Sequence, residues 1–371
     1  MRILHYSRYF PFPVAYELAI QQINLGHQVT VACWPGISKM PKGSSVYNGV
    51  KVNCYGIDIY SNPVRFKLAP FKILRIMNDF ISLTKILTSF DIIHVHGPTF
   101  YIYPKLYSKF GIYEWGVSKH LAGIPSVWTF HGHTGLLTKY RAALINEIKS
   151  SDICTSVNKK VADELKIMYI PNGVNTNIFK PISPKPERKK FGVPEDKVVL
   201  LYIGRWIPRK GQDIFVNCLK KLDTLSLKKI YVMFIGPTDS GHYNYLKNTL
   251  NELRKINVDF NVASVPTNLI PIIYNLADIF CFTSKDEGHP LVLLEALASG
   301  LPILVLKGNY PINFNNILLA NNINEFADQL SRLIHHENLR KEIGTRAREE
   351  ALSYEWAIIN QQYMSLYLKL L

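Results

Sequence analysis

A chain of 371 residues exceeds what one hydrophobic core usually serves, so two domains are expected, and 47% apolar residues suffice to fill both cores. The net charge of +15 is uneven, with roughly twelve positives before residue 186 and about three after it, which calls for an anionic partner at the first half. Five cysteines, at 33, 54, 154, 218 and 281, show no paired spacing; this excludes a disulfide framework and a zinc or redox motif, points to a reducing compartment, and leaves them as core residues.

Met1 leads straight into a strand pattern without a signal-peptide hydrophobic region, and no apolar run reaches the ~18 residues of a spanning helix, so the cytoplasm is the expected location. Short apolar runs then alternate with helix-length segments, the pattern of βα units around a parallel sheet. First-half strands are expected at 3–6, 29–33, 50–55, 92–95, 127–130, 153–156 and 168–170. Within 64–90, Arg65, Lys67, Lys72, Arg75 and Lys85 are interleaved with Phe66, Phe71, Ile76, Met77, Phe80 and Ile81. That segment reads either as a basic amphipathic helix lying on anionic lipid or as a sheet-packing helix with its cations outward. Aromatic residues follow at Tyr101, Tyr103, Tyr107, Phe110 and Tyr113, but no nucleic-acid module accompanies them, and no nucleic-acid partner is expected.

Histidines concentrate at two expected strand ends, His94 with His96 and His131 with His133. Alternating strand residues share a face, yet no nearby carboxylate or cysteine completes a ligand set, so no metal is expected. The proline- and charge-rich stretch 180–190 reads as a linker and is the expected hinge, dividing 1–180 from 181–353. Second-half strands are expected at 198–203, 231–235, 259–262, 279–283 and 303–305, and 354–371 is a terminal helix candidate. Internal repeats and low-complexity tracts are absent.

Two second-half segments carry chemistry. The first is Gly204-Arg205 at the end of a buried strand, followed by Lys210-Gly211; a guanidinium fork and a lysine point charge both suit a diphosphate. The second runs Glu287-Gly288-His289-Pro290-Leu291-Val292, continues to Glu295, and ends at Gly300 and Pro302. Pro290 is expected as the first helical residue and Gly300 with Pro302 as the stop. Glu287 then stands on a loop beyond a strand and Glu295 about two turns inside an apolar helix, where a charge must face a cleft or find a partner. Two carboxylates flanking a helix start that attracts phosphate point to sugar hydroxyls.

On these residues, with Pro171-Asn172-Gly173-Val174-Asn175, Phe179-Lys180-Pro181, the strand-turn patterns of residues 1–7 and 25–31, His94 to Gly97 and Thr129 to Gly132, the sequence resembles retaining glycosyltransferases of family 4 (group 1). The resemblance spans nearly the whole chain and implies an α/β GT-B fold: two Rossmann-like domains facing across a cleft, with 354–371 returning to the acceptor-binding first domain, and 181–353 binding a nucleotide-sugar. It implies transfer of a sugar from a donor, UDP- or GDP-linked, to a glycan, lipid-linked or other hydroxyl acceptor, with retained anomeric configuration and without metal or other cofactor. Arg205 and Lys210 would stabilise the departing diphosphate, Glu287 would hold sugar hydroxyls, Glu295 the ribose, and His131 would position the donor sugar and stabilise charge near its reacting carbon. Gly288, His289, Leu291 and Val292 would line the donor site, their backbone amides supplying donors.

The basic first domain would meet an anionic acceptor or the inner face of the cell membrane. Two departures stand out: Val14-Ala15 where relatives carry paired glycines, and the stretch 303–311, which lacks a glycine pair and the acidic residue after it. Alternatives on the same architecture are a sugar-nucleotide epimerase or a phosphorylase, or a nucleotide-sugar or polyanion-binding protein without transferase activity.

Overall fold

The computed structural model describes residues 1–7, 12–33, 43–54, 87–97, 123–183, 186–238, 240–308 and 313–371. Two compact units emerge, Met1–Asn172 with Trp356–Leu371, and Gly173–Glu355. The first holds β1 (Arg2–Ser7), β2 (Gln28–Cys33), β3 (Gly43–Tyr47), β4 (Val50–Cys54), β5 (Ile92–Gly97), β6 (Ser126–Phe130), β7 (Ile153–Ser156) and β8 (Met168–Tyr169). Their order is β3-β4-β2-β1-β5-β6-β7-β8, parallel throughout except for the β3–β4 hairpin. The second unit holds β9 (Val198–Ile203), β10 (Ile230–Ile235), β11 (Asp259–Ala263), β12 (Ile279–Phe282), β13 (Ile303–Leu306) and β14 (Leu318–Ala320). These form an all-parallel sheet ordered β11-β10-β9-β12-β13-β14.

Both faces of the second sheet are covered, which is why its strands read as continuous apolar runs rather than alternating ones. Val199, Leu201, Phe280 and Phe282 pack with the helix Leu291–Ala298 on one side, while Leu200, Tyr202, Val232 and Phe234 pack with Phe215 and Leu219 on the other. In the first sheet one face is apolar, with Leu4, Tyr6, Ile93, Val95, Trp128 and Phe130. Its opposite face carries buried His5, His94, His96, Thr129 and Thr155. Helix Pro13–Asn24 supplies Gln22 to that polar layer, and the terminal helix Trp356–Leu370 supplies Asn360, Tyr363 and Tyr367. Val14 and Ala15 are buried residues of the first of these helices.

The hinge expected at 180–190 falls inside the second unit, for a physical reason. Arg348 donates to the Phe179 carbonyl at 2.9 Å, and Asn275 donates to the Lys180 carbonyl at 3.0 Å while accepting from the Ile182 amide at 2.7 Å. Those bonds strap the segment down, and the units meet in the chain at Asn172–Gly173 and Glu355–Trp356. The expected helix at 64–90 and the aromatic run 101–113 lie largely or wholly outside the described residues, as does most of the stretch 307–311. Among the described residues, Cys33, Cys218 and Cys281 are buried thiols and Cys154 is a half-buried one, and no helix is long and apolar enough to cross a membrane.

Candidate functional site

In the second sheet, β10 and β11 lie to one side of β9 and β12 lies to the other, so the winding reverses between β9 and β12. Ligands of open α/β sheets bind beyond the strand ends at such a switch point. β9 and β12 pair through Leu200 with Ile279 and Leu201 with Phe280, and the segments leaving them are then stitched together. Thr283 donates its hydroxyl to the Gly211 carbonyl at 2.7 Å, and the Tyr202 hydroxyl donates to the Lys210 carbonyl. Gly211 has φ of +75°, and a Cβ there would lie 2.1 Å from the Thr283 carbonyl oxygen; only glycine meets both conditions. Gln212 holds the Arg205 carbonyl at 2.9 Å.

This stitching brings Lys210 and Glu287 together. Lys210 Nζ sits 2.6 Å from Glu287 Oε1, Arg209 reaches Oε2 at 3.1 Å, and the Ser284 hydroxyl donates to Oε1 at 2.5 Å. Burial raises the Glu287 carboxyl, but the charges of Lys210 and Arg209 and the bonds from Lys210 and Ser284 outweigh it and leave it below the ordinary carboxylate range. Lys210 is pulled below the ordinary lysine range, chiefly by burial; the Glu287 charge opposes that fall, and the charges of Arg209 and Arg205 add to it. Arg205 itself is exposed. Two cations thus hold one carboxylate, with the Arg205 charge acting on Lys210 as well, a surplus that favours an added anion.

Glu287, Gly288 and His289 are buried; Leu291 and Val292, half-buried, open the helix Leu291–Ala298. Pro290, expected as the first helical residue, is instead the N-cap, with φ of −72° and ψ of 117°. Proline fixes φ but leaves ψ extended here, so the helix starts one residue later. His289 packs against Phe314, with ring centroids 5.3 Å apart, and burial lowers its pKa to about 3. Glu295 is half-buried one face along the same helix; the Tyr274 hydroxyl donates to its Oε2 at 2.8 Å and lies 3.1 Å from the Val292 carbonyl. Burial raises the Glu295 carboxyl to about 7 even against that bond. Arg209, Ser284, Thr283 and Tyr274 are the members that sequence reasoning missed. Arg209 had a signal, as a second cation beside Lys210, whereas Tyr274 arrives from a separate helix.

In the first sheet the winding reverses between β1 and β5, and there the histidines gather. His5 Nδ1 lies 2.9 Å from His96 Nε2, and His96 Nδ1 lies 3.0 Å from His131 Nε2. His94 bonds Tyr367 at 2.6 Å and Thr129 at 2.7 Å instead. Burial lowers His131 to about 3 and His5 to about 4, and drives His94 and His96 well below the ordinary value, so all four are neutral at physiological pH. His5, His94 and His96 come close enough to hold a metal ion. Every one of their ring nitrogens is engaged in a hydrogen bond, so a cation there would have to displace some of those bonds. His5 was not singled out in the sequence, since it stands mid-strand.

Residues 184–350 match the family described as Glycosyl transferases group 1, and residues 13–178 match Glycosyltransferase Family 4. The chain is 29% identical over 289 residues to the Escherichia coli UDP-Gal:alpha-D-GlcNAc-diphosphoundecaprenol alpha-1,3-galactosyltransferase, covering 70% of this chain and 68% of that enzyme. It is 26% identical over 223 residues to the D-inositol 3-phosphate glycosyltransferase of Actinosynnema mirum, covering 56% of this chain and 52% of the relative, about half that protein's length. Anabaena Alr3699/HepE in complex with UDP and glucose superposes with a TM-score of 0.75 at 16% identity over 100% of both chains. Sucrose-phosphate synthase from Thermosynechococcus elongatus does so with a TM-score of 0.76 at 16% identity, over 100% of this chain and 99% of that one. At such identity the likeness is one of fold, and the fold is GT-B. With both halves matched in order and two parallel-sheet units beneath them, the chain belongs to the group 1 and family 4 glycosyltransferases.

Proposed function

We propose that the protein transfers a sugar from a nucleotide-sugar to a hydroxyl acceptor with retention of configuration and without a metal ion. The observation that carries this reading is the cluster of buried Glu287 with half-buried Lys210 and Arg209 at the switch point of the second sheet, a carboxylate outnumbered by cations. A diphosphate entering there meets Lys210, Arg209 and the exposed Arg205, and the opening amides of Leu291 and Val292 add their donors. As the anion takes over Lys210, Glu287 is released from part of its ion pairing and can accept hydrogen bonds from sugar hydroxyls. Glu295 accepts from the ribose, and His131 positions the sugar as a neutral ring rather than as a cation. Charge growing on the leaving diphosphate is stabilised by fixed protein cations, so a divalent ion is not required.

The UDP bound by the Anabaena neighbour and the UDP-Gal named for the E. coli relative favour UDP as the nucleotide. The diphosphoundecaprenol in the latter name favours a lipid-linked acceptor, and the basic first half suits work at the inner face of an anionic membrane from the cytoplasm. Calorimetric titration of UDP, GDP and their sugar conjugates into wild type and Arg205→Ala, without added metal, tests the reading. Binding of one nucleotide that is weakened by the substitution supports it; no binding of any nucleotide overturns it.

A further inference from the structure

We infer that Gln22, His5 and His96 are positioning residues: a directional hydrogen-bond chain through them fixes His131 with its proton on Nε2 and leaves the Nδ1 lone pair to accept from a substrate hydroxyl. The inference rests on the transferase reading above for the use of that lone pair. The chain itself stands on geometry within the first unit. A neutral imidazole has one N–H and one lone pair, so in a row of such rings the polarity of every bond follows from the bond at one end. Here the end is an amide. Gln22 Nε2 donates to Asn360 Oδ1 at 3.1 Å, which turns Gln22 Oε1 toward His5 Nε2 at 2.8 Å.

An oxygen can only accept, so His5 carries its proton on Nε2 and presents a bare Nδ1. His96 Nε2, 2.9 Å away, must then be the donor, and His96 Nδ1 becomes the acceptor for His131 Nε2–H at 3.0 Å. His131 Nδ1 is left bare, and it is buried with no hydrogen-bond partner among the described residues. Reversing the Gln22 amide alone would set the Asn360 and Gln22 oxygens against each other; reversing both amides would invert every bond in the row and put the His131 proton on Nδ1, the outcome that the wild-type spectrum tells apart. His94 bonds Tyr367 and Thr129 rather than another ring of the row, and it meets the row only at its anchor, where Tyr367 is also hydrogen-bonded to Gln22. Gln22, Asn360, His5 and His96 are all buried, which removes water as a competing partner, and burial keeps the rings neutral. Near-parallel stacking of His96 on His131, 27° between planes at 5.2 Å, fixes the ring orientation as well.

The test is long-range 1H–15N correlation on the intact chain labelled with 15N-histidine, at neutral pH. Wild type is expected to show lone-pair nitrogen shifts at Nδ1 and N–H shifts at Nε2 for His5, His96 and His131. Gln22→Leu removes the anchoring amide two rings away from His131. It is expected to mix the His131 tautomers and to lower kcat by roughly three- to tenfold, with the donor KM nearly unchanged. A merely structural role for Gln22 would not move the tautomer of a ring it does not touch. A proton on His131 Nδ1 in wild type, a cationic ring, or an unmixed tautomer in a folded Gln22→Leu overturns the inference; the wild-type spectrum decides even where the variant fails to fold. Should the expected tautomers appear while no nucleotide-sugar is turned over, the positioning chain stands and the transferase reading falls.

Discussion

Replacing Glu295 by glutamine isolates the cost of ionising a carboxyl inside the helix Leu291–Ala298. Burial lifts this group from 4.5 to about 7, which corresponds to ~3 kcal/mol at 1.36 kcal/mol per tenfold change in proton affinity. Partial solvent screening of a half-buried side chain reduces the expected figure to ~2–3 kcal/mol. The folded carboxyl holds its proton more tightly than the unfolded one. Its contribution to stability is therefore full below pH 4.5 and is lost as pH rises through about 7. Glutamine keeps an oxygen for the Tyr274 hydroxyl but cannot ionise, so the variant escapes the loss.

Calorimetric unfolding from pH 4.5 to 8.5 should show Glu295→Gln gaining on wild type across this range. For a unit of this size the gain is roughly 4–12 °C in the transition of the second unit. Ribose hydroxyls donating to the ionised carboxylate would lower its pKa, so saturating UDP should flatten the wild-type curve toward that of the variant. Parallel pH curves for the two proteins in the absence of UDP would refute the argument that burial governs Glu295.

Lys210→Ala removes the nearest cation from Glu287 and should lower kcat/KM by ~2–4 kcal/mol of transition-state stabilisation, about 30- to 1,000-fold in steady-state kinetics. Gly211→Ala places a Cβ 2.1 Å from the Thr283 carbonyl at a φ of +75°; urea unfolding should show a loss of roughly 2–4 kcal/mol, together with weaker nucleotide binding as Lys210 is displaced. Addition of EDTA should leave the transfer rate within about twofold of the untreated enzyme, because fixed cations already meet the leaving group.

What could be read from the sequence was local, and what could not was a matter of contact across the chain. Twelve strands were legible as short apolar runs, most of them because both faces of a parallel sheet are covered, although β8 and β11 are only partly buried. The two that escaped lack that cause. β3 is an exposed edge whose residues do not alternate, though Asn48 and Gly49, with φ of 45° and 83°, carry the turn chemistry that could have revealed its hairpin. β14 has three residues, too few for any period.

The same division holds at the sites. Arg205, Lys210, Glu287 and Glu295 stand in segments whose turn residues mark strand ends, so their neighbourhood was legible; that Glu287 is held by Lys210 and Arg209, 77 and 78 positions upstream, was not. His131 was legible as a residue after a strand, but its protonation was not, because that is decided by an amide on a helix 109 positions upstream and an asparagine 229 positions downstream. A tautomer is a property of a hydrogen-bonded path. No residue on this path lies within fifteen positions of the next, so only folding makes the path, and with it the acceptor at His131 Nδ1.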